Sequence, residues 1–281
     1  MKNQFINFNG TIIPSHIPLF TISNRAFCYG DGLFETIRVM NSVPLFLTDH
    51  IQRLTNGMKS LKMNVPDFFS PDFFKQKILE LTKKNKLQNN LRVRLQIFRN
   101  GNGLYTPESN DVSYCIQVEK LPDTAKKYFL NKKGFKVDVY EKFSKPISEI
   151  SNLKTCNALY YILAGLHKKE KNLDDCLLLN YNRNIAEASS SNIFIVRKNI
   201  FFTPSLKDGC VAGVMRKQII ELLKKNKKVI HECSLSVQDL LKADEIFLTN
   251  IINGIRWVEH FRGSAYRNTH SKWIAENLLV K

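Results

Sequence analysis

The sequence contains no run of ~18 apolar residues, the length a helix needs to cross a bilayer, so a membrane-spanning helix is not expected. Its start, MKNQFINFNGTII, lacks the charged-then-apolar plan of a signal peptide, and the cytoplasm is the expected compartment. The six cysteines, at 28, 115, 156, 176, 210 and 233, stand singly and never in CxxC spacing. That pattern argues against a zinc site or a disulfide framework, and it predicts reduced, mostly core thiols and no metal. Internal repeats and low-complexity segments are also missing. Acidic residues are scarce, 25 against 42 Lys and Arg, which leaves a formal net charge of +17. Such an excess raises nucleic acid as a partner. The lysines, however, fall in short separated groups, KKNK at 83–86, KKEK at 168–171 and KKNKK at 224–228, the pattern of helix ends and solvated faces. A nucleic-acid-binding protein is thus a remote alternative, whereas a basic shell suits a small anionic substrate.

What is present is ordinary globular material, 43% hydrophobic and 24% charged over 281 residues, enough for about two domains of ~150 residues. Residues 1–119 read as an α+β unit. It begins with strands in QFINFNGTII, GLFETIRVM and PLFL. A helix capped at Thr48 or Asp49 follows, then the helix SPDFFKQKILELTKKN and strands LRVRLQIF and VSYCIQV. The polar, proline-bearing stretch KLPDTAKKYF at 120–129 reads as a linker. A second unit, 130–281, carries strands GFKVDVY, CLLLN, SNIFIV, IFF, EIFLTN and IRWVEHF, a helix VMRKQIIELLKK and a terminal helix near 271–279.

Within that unit, ISNLKTCNALYYILAG at 150–165 raises the question of Lys154. Cys156, Leu159, Ile162, Leu163 and Leu166 recur at helical spacing and predict a helix with a buried face, Lys154 at its head. Such a lysine either lays its stem over apolar surface or is a nucleophile. The strongest chemical use of a reactive lysine is a Schiff base to pyridoxal 5'-phosphate. That cofactor also needs an acid facing its pyridine nitrogen and an anion site for its phosphate. For the phosphate, Gly213 precedes a helix, where the backbone N–H groups of Val214 and Met215 can approach an anion; Arg53, in TDHIQRL, can add a bidentate clamp. For the acid, Glu187 stands between a turn and a strand in NRNIAEASSSNIFIV. Singly, each has a plainer reading: a glycine turn, a surface arginine, a solvated carboxylate.

Together, in the order YGDGLFETIRV, PLFLTDHIQRL, LKTCNAL, EASSSNIF, GVMR and FLTN over residues 29–250, these blocks resemble the class IV pyridoxal-phosphate enzymes of fold type IV. That family includes branched-chain and D-amino acid aminotransferases and 4-amino-4-deoxychorismate lyase. The resemblance implies a two-domain α+β fold, D-amino acid aminotransferase-like, with a smaller N-terminal α/β domain and a larger C-terminal domain holding the catalytic lysine. It implies a homodimer with pyridoxal 5'-phosphate bound. By the same resemblance Lys154 carries the cofactor, Glu187 faces the ring nitrogen, and Arg53 with the backbone of Val214 and Met215 holds the phosphate. Thr249 and Asn250 complete the cofactor-binding set.

Aminotransferases of this family usually have GITR or GVTR where this chain has Gly213, Val214, Met215 and Arg216, and a threonine where Ile251 falls. The missing hydroxyls and the segment IFRNGNGLY are more similar to the lyase, which forms 4-aminobenzoate and pyruvate in folate biosynthesis. The segment also lacks the Arg-x-His that holds a substrate carboxylate in D-amino acid aminotransferases. The expectation is therefore the lyase, with a branched-chain or D-amino acid aminotransferase as the alternative. Tyr29, Arg38 and Arg99 are the expected substrate residues, while Arg25 and His50 read as structural. Ala158 stands where relatives place a Tyr or Arg on the cofactor's ring hydroxyl, which leaves Tyr160 or Tyr161 for that contact.

Overall fold

The computed structural model describes residues 4–121 and 127–278, so part of the expected linker, 122–126, lies outside the described residues. The chain forms two units. The first runs to Lys127 and includes Leu153–Asn157; the second takes Tyr128–Asn152 and the chain from Ala158 onward. The division differs from two continuous segments, because the residues around Lys154 group with the first unit.

In the first unit, strands β1 (Phe5–Phe8), β2 (Thr11–Pro14), β3 (Gly32–Met40), β4 (Val43–Pro44), β5 (Leu91–Arg99) and β6 (Val112–Lys120) form a six-stranded sheet in the order β2-β1-β6-β5-β3-β4. Strand β5 alternates: Leu91, Val93, Leu95 and Ile97 are buried, while Arg92, Arg94 and Gln96 between them are half-exposed. This period of two gives the sheet one apolar face. Helices α2 (Leu47–Ser60) and α3 (Pro71–Lys84) cover it with Leu54, Met58, Phe74 and Ile78. Truncating such a side chain to alanine costs about 2–5 kcal/mol. Ser70 caps α3 by accepting from Phe73 N–H, with Pro71 at the first position. The expected cap at Thr48 or Asp49 is not what starts α2. Phe46, in the left-handed region at φ 50°, turns the chain and the helix begins at Leu47 without a side-chain cap, so of PLFL only Pro44 lies in a strand. A short helix α1 (Arg25–Tyr29) ends at Gly30, whose φ of 66° suits glycine.

In the second unit, strands β7 (Phe135–Lys145), β8 (Asp175–Asn180), β9 (Ile185–Ala188), β10 (Asn192–Arg197), β11 (Ile200–Thr203), β12 (Ile230–Glu232), β13 (Glu245–Asn250) and β14 (Gly254–Phe261) form one mixed sheet. Its order is β12-β11-β10-β13-β14-β7-β8-β9, with β15 (Ser264–Ala265) paired to β14. Every residue of β8 is buried, as expected of a strand covered on both faces. Leu177 and Leu179 enter the larger core with Val137, Val139 and Leu240. Cys176 and Leu178 turn the other way, toward Tyr140 and Ala164. The helices are α4 (Leu159–Glu170), α5 (Val214–Lys225), α6 (Val237–Leu241) and α7 (Thr269–Asn277). Among the described residues no helix is long and apolar enough to cross a membrane. Cys115, Cys176 and Cys210 are buried, Cys156 and Cys233 half-buried and Cys28 exposed.

The helix after Lys154 departs from expectation twice. It begins at Leu159, five residues beyond the lysine, and only Ala164 is buried in it. Leu159, Ile162, Leu163 and Leu166 are 75, 55, 41 and 54% exposed. The apolar stripe is real but does not face the chain's own core.

Candidate active site

Lys154 lies in extended chain along β3. Thr155 bridges Leu33, the Phe34 N–H donates to the Lys154 carbonyl at 2.9 Å, and the Cys156 N–H donates to the Gly32 carbonyl at 2.9 Å. These bonds use the edge of β3 opposite β5. The Lys154 ammonium lies 4.4 Å from the centre of the Phe34 ring, a cation–π contact. Strand pairing, and not a helix, fixes this lysine.

Glu187, on β9, is 3% exposed. It lies opposite Leu178 on β8, so it shares the face on which Ala164 of α4 packs. Three donors reach its carboxylate. The Lys145 Nζ and the Tyr161 hydroxyl donate to Oε1 at 2.5 and 2.6 Å, and the Val211 N–H donates to Oε2 at 3.0 Å. Lys145, 1% exposed, also donates to the Ser151 carbonyl at 3.1 Å. Burial, then the adjacent Glu187 charge, pushes the Tyr161 hydroxyl far up, so it remains a donor. Of the two tyrosines expected near a cofactor ring hydroxyl, Tyr160 and Tyr161, the second donates its hydroxyl to Glu187. Sequence reasoning missed Lys145 altogether. The motif EKFSKP contains nothing to set that lysine apart from its neighbours, and the pairing arises only from the β7–β8–β9 register.

From Val211 the chain passes through Ala212 and Gly213 into α5. Gly213 is its N-cap without a side-chain cap bond, and Val214 and Met215, the first helical residues, are buried. The first N–H groups of a helix have no partner within it and carry the positive end of its dipole. A Cβ built on Gly213 would come within 1.9 Å of Asn192 Oδ1, while Asn192 Nδ2 donates to the Val211 carbonyl at 2.9 Å. Thr249 pairs with Asn192 across β10 and β13. Its hydroxyl is buried without a hydrogen-bond partner among the described residues. A helix terminus and an unpaired buried hydroxyl thus adjoin the loop that contacts Glu187. This is an arrangement able to take an anion.

Other expected site residues have different employment. Asn250 donates to the Ser190 carbonyl and Ser191 Oγ at 3.2 and 3.0 Å and accepts from Ile252 and Asn253 N–H, so its side chain shapes the 250–253 turn. Arg99 is held within its own unit. It is buried and donates to both Asp31 carboxylate oxygens, to the carbonyls of Leu61 and Lys62, and to Asn110. Arg38 is enclosed within β3 at 2% exposure. Tyr29 is half-buried, its ring 5.7 Å from that of Tyr105, with the Arg25 guanidinium 5.1 Å above it. Arg25 itself holds Asp31 and the carbonyls of Asn102, Gly103 and Leu104.

Arg53 donates through both Nε and Nη2 to the buried Glu35, which also receives the His50 ring at 2.6 Å. Burial by itself raises the Glu35 carboxyl, but Arg53 and His50 outweigh it and hold it at about 2.

The model of the Amino-transferase class IV family matches residues 32–261, so the chain belongs to that family. It is 24% identical to the D-alanine aminotransferase of Listeria monocytogenes over 91% of this chain and 90% of that one. It is 24% identical to the aminodeoxychorismate lyase of Vibrio harveyi over 86% of each chain. The fold matches the branched-chain amino acid aminotransferase of Thermobaculum terrenum, solved in its PLP form, with a TM-score of 0.83 at 19% identity, covering 97% of this chain and 92% of that one. The α+β fold is therefore that of the fold type IV enzymes.

Proposed function

We propose that this protein is a pyridoxal 5'-phosphate enzyme acting on a small anionic amino substrate, and specifically a 4-amino-4-deoxychorismate lyase. The cofactor reading is carried by the second unit, where the Glu187 carboxylate and the uncapped start of α5 are linked through Val211. The chemistry matches at both ends. A phosphate is an acceptor, and the α5 terminus with the partnerless Thr249 hydroxyl offers donors. A protonated pyridine nitrogen is a donor, and Glu187 offers a carboxylate. When bound, the cofactor supplies an electron sink for the bond broken at the amine-bearing carbon.

In this reading Lys154 provides the amine for the cofactor aldehyde. Once the substrate amine displaced it there, the freed Nζ would be the base that takes the proton from the amine-bearing ring carbon and the acid that returns one to the departing pyruvate. Arg53, oriented by Glu35, keeps its proposed role as a cation for the phosphate.

The lyase half of the reading rests on Met215 and Ile251. Both are buried apolar side chains at the positions where the family's aminotransferases usually carry hydroxyls. The employment of Arg99 within its own unit fits the absence of an Arg-x-His substrate clamp. A branched-chain or D-amino acid aminotransferase is the second reading, favoured by the similarity to the Listeria enzyme.

The test is to incubate cofactor-loaded protein with 4-amino-4-deoxychorismate and assay 4-aminobenzoate and pyruvate. Equal release of both is expected. No release from loaded protein, together with amino transfer from branched-chain or D-amino acids to 2-oxoglutarate, would replace the lyase with the aminotransferase.

The reading includes a cytoplasmic homodimer. The exposed apolar residues of α4, interrupted by no charge before His167, are what a second copy would cover.

A further inference from the structure

We infer that Lys145 and Tyr161 are positioning residues that saturate Oε1 of Glu187 and so leave a single acceptor site, on Oε2, for the cofactor's pyridine nitrogen. The inference rests on the proposed cofactor reading. An ionised carboxylate has about four lone-pair sites. Two are taken on Oε1 by Lys145 and Tyr161 and one on Oε2 by the Val211 N–H. No other donor reaches this carboxylate among the described residues.

The remaining site lies on the oxygen bonded to Val211, two residues ahead of Gly213 at the start of α5. A ring whose nitrogen meets Oε2 thus has its carboxylate contact on the strand of chain leading to the phosphate end. Rotation of the carboxylate would exchange the two oxygens. It would also break the bonds that both donors make to Oε1. Lys145 is 1% exposed and held by the Ser151 carbonyl, and Tyr161 is closed in by the ring of Tyr160 at 4.5 Å.

Lys145 has a second role. Because the carboxylate is buried, removing its one cationic partner among the described residues leaves a charge uncompensated. Lysine meets this need as a compact point charge on a flexible stem, and arginine at 145 would keep the charge while changing the donor geometry.

The experiment measures cofactor affinity by absorbance titration, and the pH midpoint of the bound chromophore's visible band, in wild type, Lys145→Met, Lys145→Arg and Tyr161→Phe. Lys145→Met is expected to weaken affinity by at least ~10-fold and to move the midpoint, as loss of a hydrogen bond to a charged group would. Lys145→Arg should recover most of both. Tyr161→Phe, which changes no charge, should weaken affinity by roughly 3–10-fold and move the midpoint in the same direction. Affinity within twofold of wild type and an unmoved midpoint in Lys145→Met and Tyr161→Phe would overturn the inference. Should Lys145→Met not fold, Tyr161→Phe and Lys145→Arg decide by the same criteria. The parent reading fails differently: Lys154→Ala would then bind the cofactor with an unchanged visible spectrum.

Discussion

The carbonyl of Lys154 accepts from the Phe34 N–H at 2.9 Å while its ammonium lies 4.4 Å from the centre of the same residue's ring. Main chain and side chain are thus both referenced to one residue of β3. Lys145, by contrast, is already held by Glu187 and the Ser151 carbonyl. Borohydride reduction of the cofactor-loaded protein should therefore fix a pyridoxyl group on the peptide containing Lys154 and none on Lys145. Peptide mapping by mass spectrometry reads this directly, and label on Lys145 would reverse the assignment. Phe34→Ala removes the ring contact but keeps the backbone bond, so it should lower the labelling rate without changing the labelled residue.

Gly213 sits where a side chain has no room. Its φ of −65° is open to any residue, so the constraint is steric: the Cβ of Gly213→Ala would come within 1.9 Å of Asn192 Oδ1. Asn192 cannot yield without loosening its bond to the Val211 carbonyl. The expected cost is about 1–3 kcal/mol of stability. A fall in cofactor affinity should accompany it, because the Val211 N–H is one of the donors to Glu187. Thermal unfolding and absorbance titration measure the two effects. Stability lowered at unchanged affinity would detach the α5 start from the cofactor.

Much of this architecture is legible in the sequence because local pattern and local structure coincide. GLFETIRVM is β3, VMRKQIIELLKK is α5 and EIFLTN is β13, residue for residue. The misreadings have specific physical sources. The stripe Leu159, Ile162, Leu163 and Leu166 has helical period, but period says only that one face is apolar, not what covers it. Lys154 looked like the head of that helix because nothing in its neighbours marks the single bridge from Thr155 to Leu33, a contact 122 positions away in the chain. The start of α2 was misplaced because a left-handed Phe46 carries no composition signal. Lys145 was invisible for the same reason as the Thr155 bridge, since its partner Glu187 lies 42 positions on. For Arg99, only the fold reveals the Asp31 carboxylate and the Leu61 and Lys62 carbonyls that surround it.

The Glu35 cluster predicts an acid limb to the stability curve. The folded-state pKa of Glu35, about 2, lies below its ordinary value, so the group contributes stability that is present above ~4.3 and lost as pH falls toward 2. Burial likewise holds the His50 ring below its ordinary range, so acid favours the unfolded state, where that ring can take a proton, beginning below ~6.5. Urea midpoints should fall gently from pH 6.5 to 4.5 and steeply below. Glu35→Gln should abolish the lower stage and cost on the order of 3 kcal/mol at neutral pH, since Arg53 loses its bidentate partner. A variant with an acid limb like that of wild type would place the sensitivity elsewhere.

The α4 face offers a test that does not depend on the chemistry. Leu163 is 41% exposed and Ile162 55%, on a helix whose one buried residue is Ala164. A charge at either position costs the isolated chain little, because the side chain already meets water. At the centre of a subunit interface the same charge would be desolvated without a partner. Ile162→Glu and Leu163→Glu should therefore leave thermal stability of the monomer within ~0.5 kcal/mol of wild type, as surface substitutions usually do, while raising the dimer dissociation constant by ~100-fold or more. Sedimentation equilibrium across a concentration series separates the two quantities. If both variants remain dimeric at the concentrations where wild type does, the interface lies elsewhere. The exposed stripe would then need a different partner.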